Sequence, residues 1–219
     1  MRVGILGSGL MGGKLGTLFA RAGHEMVFSY VRNREKLNRL ARDAGHDAQA
    51  GTPKEAAQGA EALLLAVHWS RIDGVLKQAG DLSGKVIVSC SLPLNTANTE
   101  LVLGHTTSGA EELAKKIPGA DVVSAFNNIP SEVLFDVFAA RGKATPPSMV
   151  YCGDKQTGKE IAATLIRDVG FDPIDLGPLR SARYTEPLAM IIAHLAYGGS
   201  DGPELAYRFE WLGKQESKL

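Results

Sequence analysis

The chain has 219 residues, 44% of them hydrophobic, with 24 basic and 24 acidic side chains and no net charge. That length holds one ordinary domain, or one domain with a small appendage, and supplies enough apolar side chains for a proper core. The lack of a basic surplus speaks against a nucleic-acid partner, and no apolar run approaches the roughly 20 residues that cross a bilayer.

The first predicted element is a strand, Val3-Gly4-Ile5-Leu6, and Gly7-Ser8-Gly9-Leu10-Met11-Gly12 follows it without a gap. A helical pattern (Leu10, Leu15, Leu18, Phe19) and a second apolar run, Met26-Val27-Phe28, complete a strand–turn–helix–strand unit. In that setting G-x-G-x-x-G reads as a dinucleotide-binding fingerprint. Gly7 permits the tight turn, Gly9 leaves room for a pyrophosphate against the backbone, and Gly12 lets the helix pack on the strand. The free N–H groups at the helix start attract phosphate. The chain opens directly on this strand, which predicts no signal peptide and, with only two cysteines, a reducing cytoplasmic setting.

The end of the second strand distinguishes the two nicotinamide nucleotides. It reads Phe28-Ser29-Tyr30-Val31-Arg32-Asn33-Arg34-Glu35-Lys36, with no acid where a ribose 2′-hydroxyl would need one. The hydroxyls of Ser29 and Tyr30 are followed by three cations. A guanidinium binds a 2′-phosphate through charge-assisted hydrogen bonds, where a carboxylate would repel it. The stretch therefore predicts NADP(H), with Arg32 as its principal ligand and one of Arg34 and Lys36 on the solvated face of the next helix.

Strand and helix then alternate almost throughout. The strand candidates are Ala62–Val67, Val86–Cys90, Val122–Phe126, Met149–Cys152 and Phe171–Asp175, each apolar on both faces. That pattern predicts an α/β Rossmann fold with a doubly wound parallel sheet. Thr52-Pro53-Lys54-Glu55 reads as a capped helix start, and Ser70…Asp73, Ser108…Glu111 and Thr157…Glu160 share its spacing. Cys90 and Cys152 fall within apolar runs as buried structural thiols, and no His/Cys spacing suggests a metal site. Ser181–Tyr197 is a helix apolar nearly all round, with Pro187 in its first turn and His194 as a core histidine. Residues 1–179 are expected to form the nucleotide-binding domain. Residues 180–219 are expected to form a helical piece over the ligand edge or at a homodimer interface.

Ligands of open parallel sheets sit beyond the carboxyl ends of the strands. That rule adds Val67-His68-Trp69, Ser91-Leu92-Pro93, Asn127-Asn128-Ile129-Pro130 and Gly177-Pro178-Leu179 to the glycine loop and the second-strand residues. Pyrophosphate and adenine take the first two loops, so the nicotinamide belongs near the later ones. Asn127 is placed to hydrogen-bond a carboxamide or ribose, with Ile129 and Pro130 as an apolar floor. No acid–base pair stands out. Hydride transfer between two rings needs alignment and exclusion of water more than proton chemistry.

The chain resembles the 8-hydroxy-5-deazaflavin (coenzyme F420):NADP oxidoreductase family. The resemblance rests on Met1–Gly13, Gly23–Val27, Val67–Trp69, Val88–Pro93, Val123–Pro130, Val150–Gly153 and Asp175–Leu179 with the helix that follows. The cytoplasmic reductase domain of the STEAP ferrireductases is similar in outline. The resemblance implies a Rossmann domain, a small helical C-terminal piece and a homodimer. It implies Arg32, with Ser29 and Lys36, on the 2′-phosphate, and a deazaflavin stacked on the nicotinamide near Asn127, Asn128, Ile129 and Pro130. An anionic deazaflavin tail calls for cations, for which Arg141, Lys143, Arg180 and Arg183 are candidates. Two further readings stay open: a reductase of a flavin, ferric complex, carbonyl or imine, and a non-catalytic NADP-binding regulator.

Overall fold

A computed structural model describes residues 1–31, 33–143 and 145–212. Eight strands form one sheet in the order β3-β2-β1-β4-β5-β6-β7-β8. They are β1 (Arg2–Leu6), β2 (Glu25–Ser29), β3 (Gln49–Ala50), β4 (Ala62–Leu65), β5 (Val86–Ser89), β6 (Asp121–Ser124), β7 (Ser148–Gly153) and β8 (Asp172–Asp175). The helices are α1 (Leu10–Arg21), α2 (Arg34–Ala44), α3 (Pro53–Ala57), α4 (Ile72–Ala79), α5 (Gly109–Lys116), α6 (Leu134–Ala139), α7 (Gln156–Val169) and α8 (Ala182–Gly198).

Every residue of β4, β5 and β6 is buried, because helices cover both faces of the sheet. Alternate side chains therefore enter two separate cores. Ile5, Leu64, Val88 and Val123 join Phe19, Phe28, Phe126 and Leu165 under α1 and α7. Leu6, Leu63, Leu65, Ile87 and Val122 join Val75, Leu113 and Ala182 on the other face.

The sheet is mostly rather than wholly parallel. β1 to β6 run together, but β7 pairs antiparallel with β6, and β8 follows β7 in parallel. The antiparallel pairing places Gly153 opposite Val123, and the Gly153 N–H donates to the Gly177 carbonyl at 3.1 Å. Gly177-Pro178-Leu179 therefore lies towards the amino end of β6, away from the ligand edge where the strand-end rule placed it. A reversed strand inverts that rule.

Two of the predicted caps are as expected. Thr52 and Glu55 form a full capping box, and the Ser108 hydroxyl accepts from Glu111 N–H at 3.2 Å. The other two differ. His68, rather than Ser70, caps the short 3₁₀ turn at Trp69–Arg71. α7 starts at Gln156 behind Lys155, so Thr157 is an interior residue.

α8 departs furthest from expectation. Its buried side is narrow and made of small or polar residues: Ala182, Thr185, Glu186, Ala189, Ala196 and the larger Ile192. Tyr184, Ile191, Leu195 and Tyr197 stay between 58% and 74% exposed, and His194 is exposed as well. Pro187 is the sixth residue of α8, beyond its first turn and inside the helix. Glu186 caps a different helix from its own: its carboxylate accepts from Gly109 N–H at 2.9 Å and Ala110 N–H at 3.0 Å, at the start of α5. Burial pushes the Glu186 carboxyl up to about 7, while those two N–H groups pull it down. Beyond α8 the chain returns as a strap. Ser148 N–H donates to the Tyr207 carbonyl at 2.8 Å, and Phe209 N–H donates to the Ser148 hydroxyl at 3.0 Å.

Candidate functional site

The glycine loop is held in its turn by β2. Gly7 has a φ of +113°, a conformation that disfavours side chains. The Ser29 carbonyl accepts from Gly7 N–H at 3.3 Å, Ser8 N–H at 3.1 Å and the Ser8 hydroxyl at 2.9 Å. A Cβ on Gly12 would stand 2.0 Å from the Gly7 carbonyl oxygen and 2.9 Å from Ala66 Cβ, so helix and strand touch there. A Cβ on Gly9 would meet nothing within 4 Å. Gly9 is the N-cap of α1 and provides no side-chain hydrogen bond to the helix end. The first N–H groups of α1 therefore face open space, the condition for an anion to dock.

A cavity of about 650 Å³ adjoins that space. It brings together Gly7, Gly9, Tyr30, Val67 and His68, all named from the sequence, with Arg34, Arg71, Thr52 and Gln78. Tyr30 has a φ of 58°, unusual for a bulky residue, which turns the chain at the end of β2. Arg34 is the first residue of α2, so its guanidinium and the positive helix end act on one volume. Arg71 closes the 3₁₀ turn after β4. The cations that follow the second strand could not flag Arg71, which arrives from a different βα loop.

His68 and Ser91 brace the loop beyond β4. Ser70 N–H donates to His68 Nδ1 at 3.2 Å, and His68 Nε2 lies 3.1 Å from the Asn95 carbonyl. The Ser70 hydroxyl also lies 2.9 Å from His68 Nδ1, so both ring nitrogens are engaged by neighbouring loop atoms. The Ser91 hydroxyl donates to the Val67 carbonyl at 2.8 Å.

Several sequence expectations change. Ser29 is fully buried and its hydroxyl donates to the Ile5 carbonyl at 2.6 Å, so it braces the glycine loop and does not face the cavity. Lys36 lies apart, with Asn33, Glu35 and Arg39 on a separate shallow surface of α2. Arg32 lies outside the described residues. Leu10 points into solvent at 65% exposure, and Met11 packs against the core under α1. Ile129 is a core residue, 5% exposed and clustered with Phe126, Val133 and Leu134, so it is no floor for a ring. Asn128 is 1% exposed, with the strap's Tyr207 hydroxyl 2.7 Å from its Oδ1, and Pro130 is buried. Asn127 keeps 8% of its surface exposed, and its Nδ2 donates to the Ser124 hydroxyl at 2.9 Å.

The candidate cations for an acceptor tail are engaged or distant. Arg183 makes a bidentate pair with Glu111 at 2.7 and 2.8 Å. Arg141 stacks 3.5 Å over the Phe138 ring and donates to the Asp168 carbonyl. Arg180 lies in the 3₁₀ turn beside Leu179, towards the reversed edge, and Lys143 is exposed on a surface turn. A cation that the sequence reading passed over is Lys14 in α1, whose Nζ donates to the Ser131 carbonyl at 3.0 Å beside the Asn127 loop. Both thiols are pushed up to about 12 by burial and are inert. No helix among the described residues is long and apolar enough to cross a membrane.

The Metalloreductase STEAP3 of Rattus norvegicus is 32% identical over 189 residues, which is 86% of this chain and 36% of that protein. The Pyrroline-5-carboxylate reductase of Treponema pallidum (strain Nichols) is 30% identical over 148 residues, 66% of this chain and 52% of that enzyme. The chain thus spans about a third to a half of these relatives' lengths. A crystal structure from Arthrobacter sp. fb24, provisionally described as an F420-dependent NADP-reductase, superposes with a TM-score of 0.84 at 24% identity. The match covers 96% of this chain and all of that one, and it speaks for the fold. The model of the family described as NADP oxidoreductase, coenzyme F420-dependent, matches residues 2–93, from β1 through the loop after β5. That segment, which holds the glycine loop and the residues lining the cavity, is where the chain is similar to the coenzyme F420-dependent NADP oxidoreductase family.

Proposed function

We propose that the chain binds NADP(H) along the carboxyl edge of β1, β2 and β4 and passes a hydride between its nicotinamide and a flavin-like ring, with coenzyme F420 the leading acceptor. The observation that carries this reading is the open volume beside Gly9. It joins the uncapped start of α1 to a cavity flanked by Arg34 and Arg71, with no acid at the end of β2. The residues present fit the nucleotide: N–H groups for the pyrophosphate, two guanidinium groups for a 2′-phosphate, and Tyr30 and Pro53 beside an adenine. When bound, the nicotinamide supplies the hydride. The protein binds, orients and excludes water. His68 and Ser91 hold the Val67 loop under the nucleotide, and Asn127 offers its amide at the far end of the same edge. No proton transfer is required of these side chains, and both ring nitrogens of His68 are engaged in holding its own loop.

A second acceptor class is favoured by the STEAP3 match over most of the chain: a flavin or ferric complex reduced at the same edge. The Pyrroline-5-carboxylate reductase match raises an imine as a further candidate. We also propose a homodimer. Tyr184, Leu188, Ile191 and Leu195 follow a 4-3-4 spacing along α8, the seam of two packed helices, and three of the four are well exposed in the single chain. The test of function is NADPH oxidation followed spectrophotometrically against coenzyme F420, FMN, riboflavin and a ferric chelate. Turnover with F420 above all others supports the leading reading. NADPH binding with no turnover on any acceptor overturns it in favour of a nucleotide-binding regulator.

A further inference from the structure

Asn127 is the last member of a hydrogen-bonded series that begins on the C-terminal strap. Val150 N–H lies 3.4 Å from the Tyr207 hydroxyl, and that hydroxyl lies 2.7 Å from Asn128 Oδ1. Asn128 Nδ2 reaches Asn127 Oδ1 at 3.1 Å and the Val150 carbonyl at 3.4 Å. Asn127 Nδ2 then reaches the Ser124 hydroxyl at 2.9 Å.

The direction of this series is set by two groups that cannot turn. The Val150 N–H can only donate, so the Tyr207 oxygen accepts there and sends its own proton to Asn128 Oδ1. The Val150 carbonyl can only accept, so Asn128 presents Nδ2 to it and to Asn127 Oδ1. The Asn127 amide is thereby fixed with oxygen towards Asn128 and nitrogen towards Ser124. One N–H and one lone pair of that amide remain unused. A nicotinamide carboxamide has the complementary acceptor and donor.

The backbone points the same way. Phe126, fully buried against Phe19, has a φ of 61°, a costly conformation for a bulky residue. It turns the chain immediately before Asn127, two residues past the end of β6.

We propose that Tyr207 is a positioning residue that fixes the orientation of the Asn127 amide for the nicotinamide half of the nucleotide. This rests on the nucleotide reading above. The strap is thus a determinant of how the nicotinamide is held, reaching the site from some 80 residues beyond Asn127 in sequence. Tyr207 makes no contact with the cavity beside Gly9, so its influence is confined to one half of the ligand.

The test is calorimetric binding of two probes, NADPH and 2′,5′-ADP, which has the adenine half and no nicotinamide. Asn127→Ala should weaken NADPH about tenfold and leave 2′,5′-ADP within about twofold, the scale of one or two neutral hydrogen bonds. Tyr207→Phe keeps the ring and its edge contact with Phe209, at 5.4 Å between centroids, but ends the series. It should weaken NADPH about threefold to tenfold, again sparing 2′,5′-ADP. Phe209→Leu disturbs the strap without touching the hydroxyl, and NADPH affinity should hold. If Tyr207→Phe does not fold, Ser124→Ala breaks the series at its other end and should give the same selectivity for NADPH over 2′,5′-ADP. Selective loss in Asn127→Ala with none in Tyr207→Phe, or in Ser124→Ala where that variant stands in, overturns the inference and leaves the nucleotide reading intact. Equal losses in Tyr207→Phe and Phe209→Leu also overturn it, by making the strap merely structural. Unchanged NADPH affinity in Asn127→Ala removes the nucleotide contact of Asn127 and the inference with it.

Discussion

Two glycines of one fingerprint should respond in opposite ways to a side chain. A Cβ on Gly9 enters open space, whereas one on Gly12 stands 2.0 Å from a backbone oxygen and 2.9 Å from Ala66. Gly9→Val therefore leaves the packing alone and costs only a poorer helix N-cap, about 1 kcal/mol. In a chain of this size that lowers Tm by about 2–4 °C. Its isopropyl group fills the space in which a pyrophosphate would meet the first N–H groups of α1. Loss of two charge-assisted bonds, at about 1.5–3 kcal/mol each, weakens NADPH by at least about 100-fold. Gly12→Ala is the smaller substitution and the more damaging to the fold. One clashing atom is a backbone oxygen of the β1–α1 turn and the other a Cβ just past β4, neither the end of a flexible side chain, so the cost falls near the top of the overpacking range, about 3 kcal/mol. Tm should drop by about 6–12 °C. Differential scanning fluorimetry and calorimetric titration of NADPH on the same samples read both quantities. Wild-type NADPH affinity in Gly9→Val, or a wild-type Tm in Gly12→Ala, would refute the reasoning.

Arg34→Ala and Arg71→Ala should each weaken NADPH by about tenfold while changing NADH less than about twofold, the lower end of the range for a charged hydrogen bond because both side chains are solvated. Parallel losses for the two nucleotides would remove the 2′-phosphate from this cavity. Glu186 makes stability depend on pH. Its folded carboxyl is pushed up to about 7 from the ordinary 4.5, so across that window the folded chain keeps a proton the unfolded chain has released. Stability should fall by about 3 kcal/mol as pH rises from 4.5 to 7 and then level off. Denaturant midpoints of Glu186→Gln should lack that slope, and a slope retained in the variant would show that another group carries it. Ile191→Asp places a charge in the centre of the exposed α8 seam. Sedimentation should show a dimer for the wild type and a monomer for the variant, with Tm little changed. A wild-type monomer at micromolar concentration counts against the seam.

Ile129 illustrates how a residue's position in sequence can mislead. It lies in the loop beyond β6 and is apolar, the profile of a ring-binding floor, yet it turns inward against Phe126 and Leu134. Whether an apolar side chain after a strand faces ligand or core depends on the backbone turn that precedes it, here the positive φ of Phe126. No local pattern encodes that turn, because nothing in the residue type of Phe favours it.

The sequence by itself determined the βαβ start, the glycine loop, the run of buried central strands and the capped starts of α3 and α5. These follow from chemistry within a few residues: periodicity, glycine conformation and side-chain caps. It also determined that no acid closes β2. Tertiary structure alone decided the rest. The reversal of β7 moved Gly177–Leu179 to the other edge, and the chain fold brought Arg71 beside Arg34. α5 took its carboxylate cap from Glu186 on α8, and the strap carried Tyr207 to Asn128. Each joins residues tens of positions apart in sequence, whose distance is set by the direction and order of strands rather than by any preference written locally in the chain.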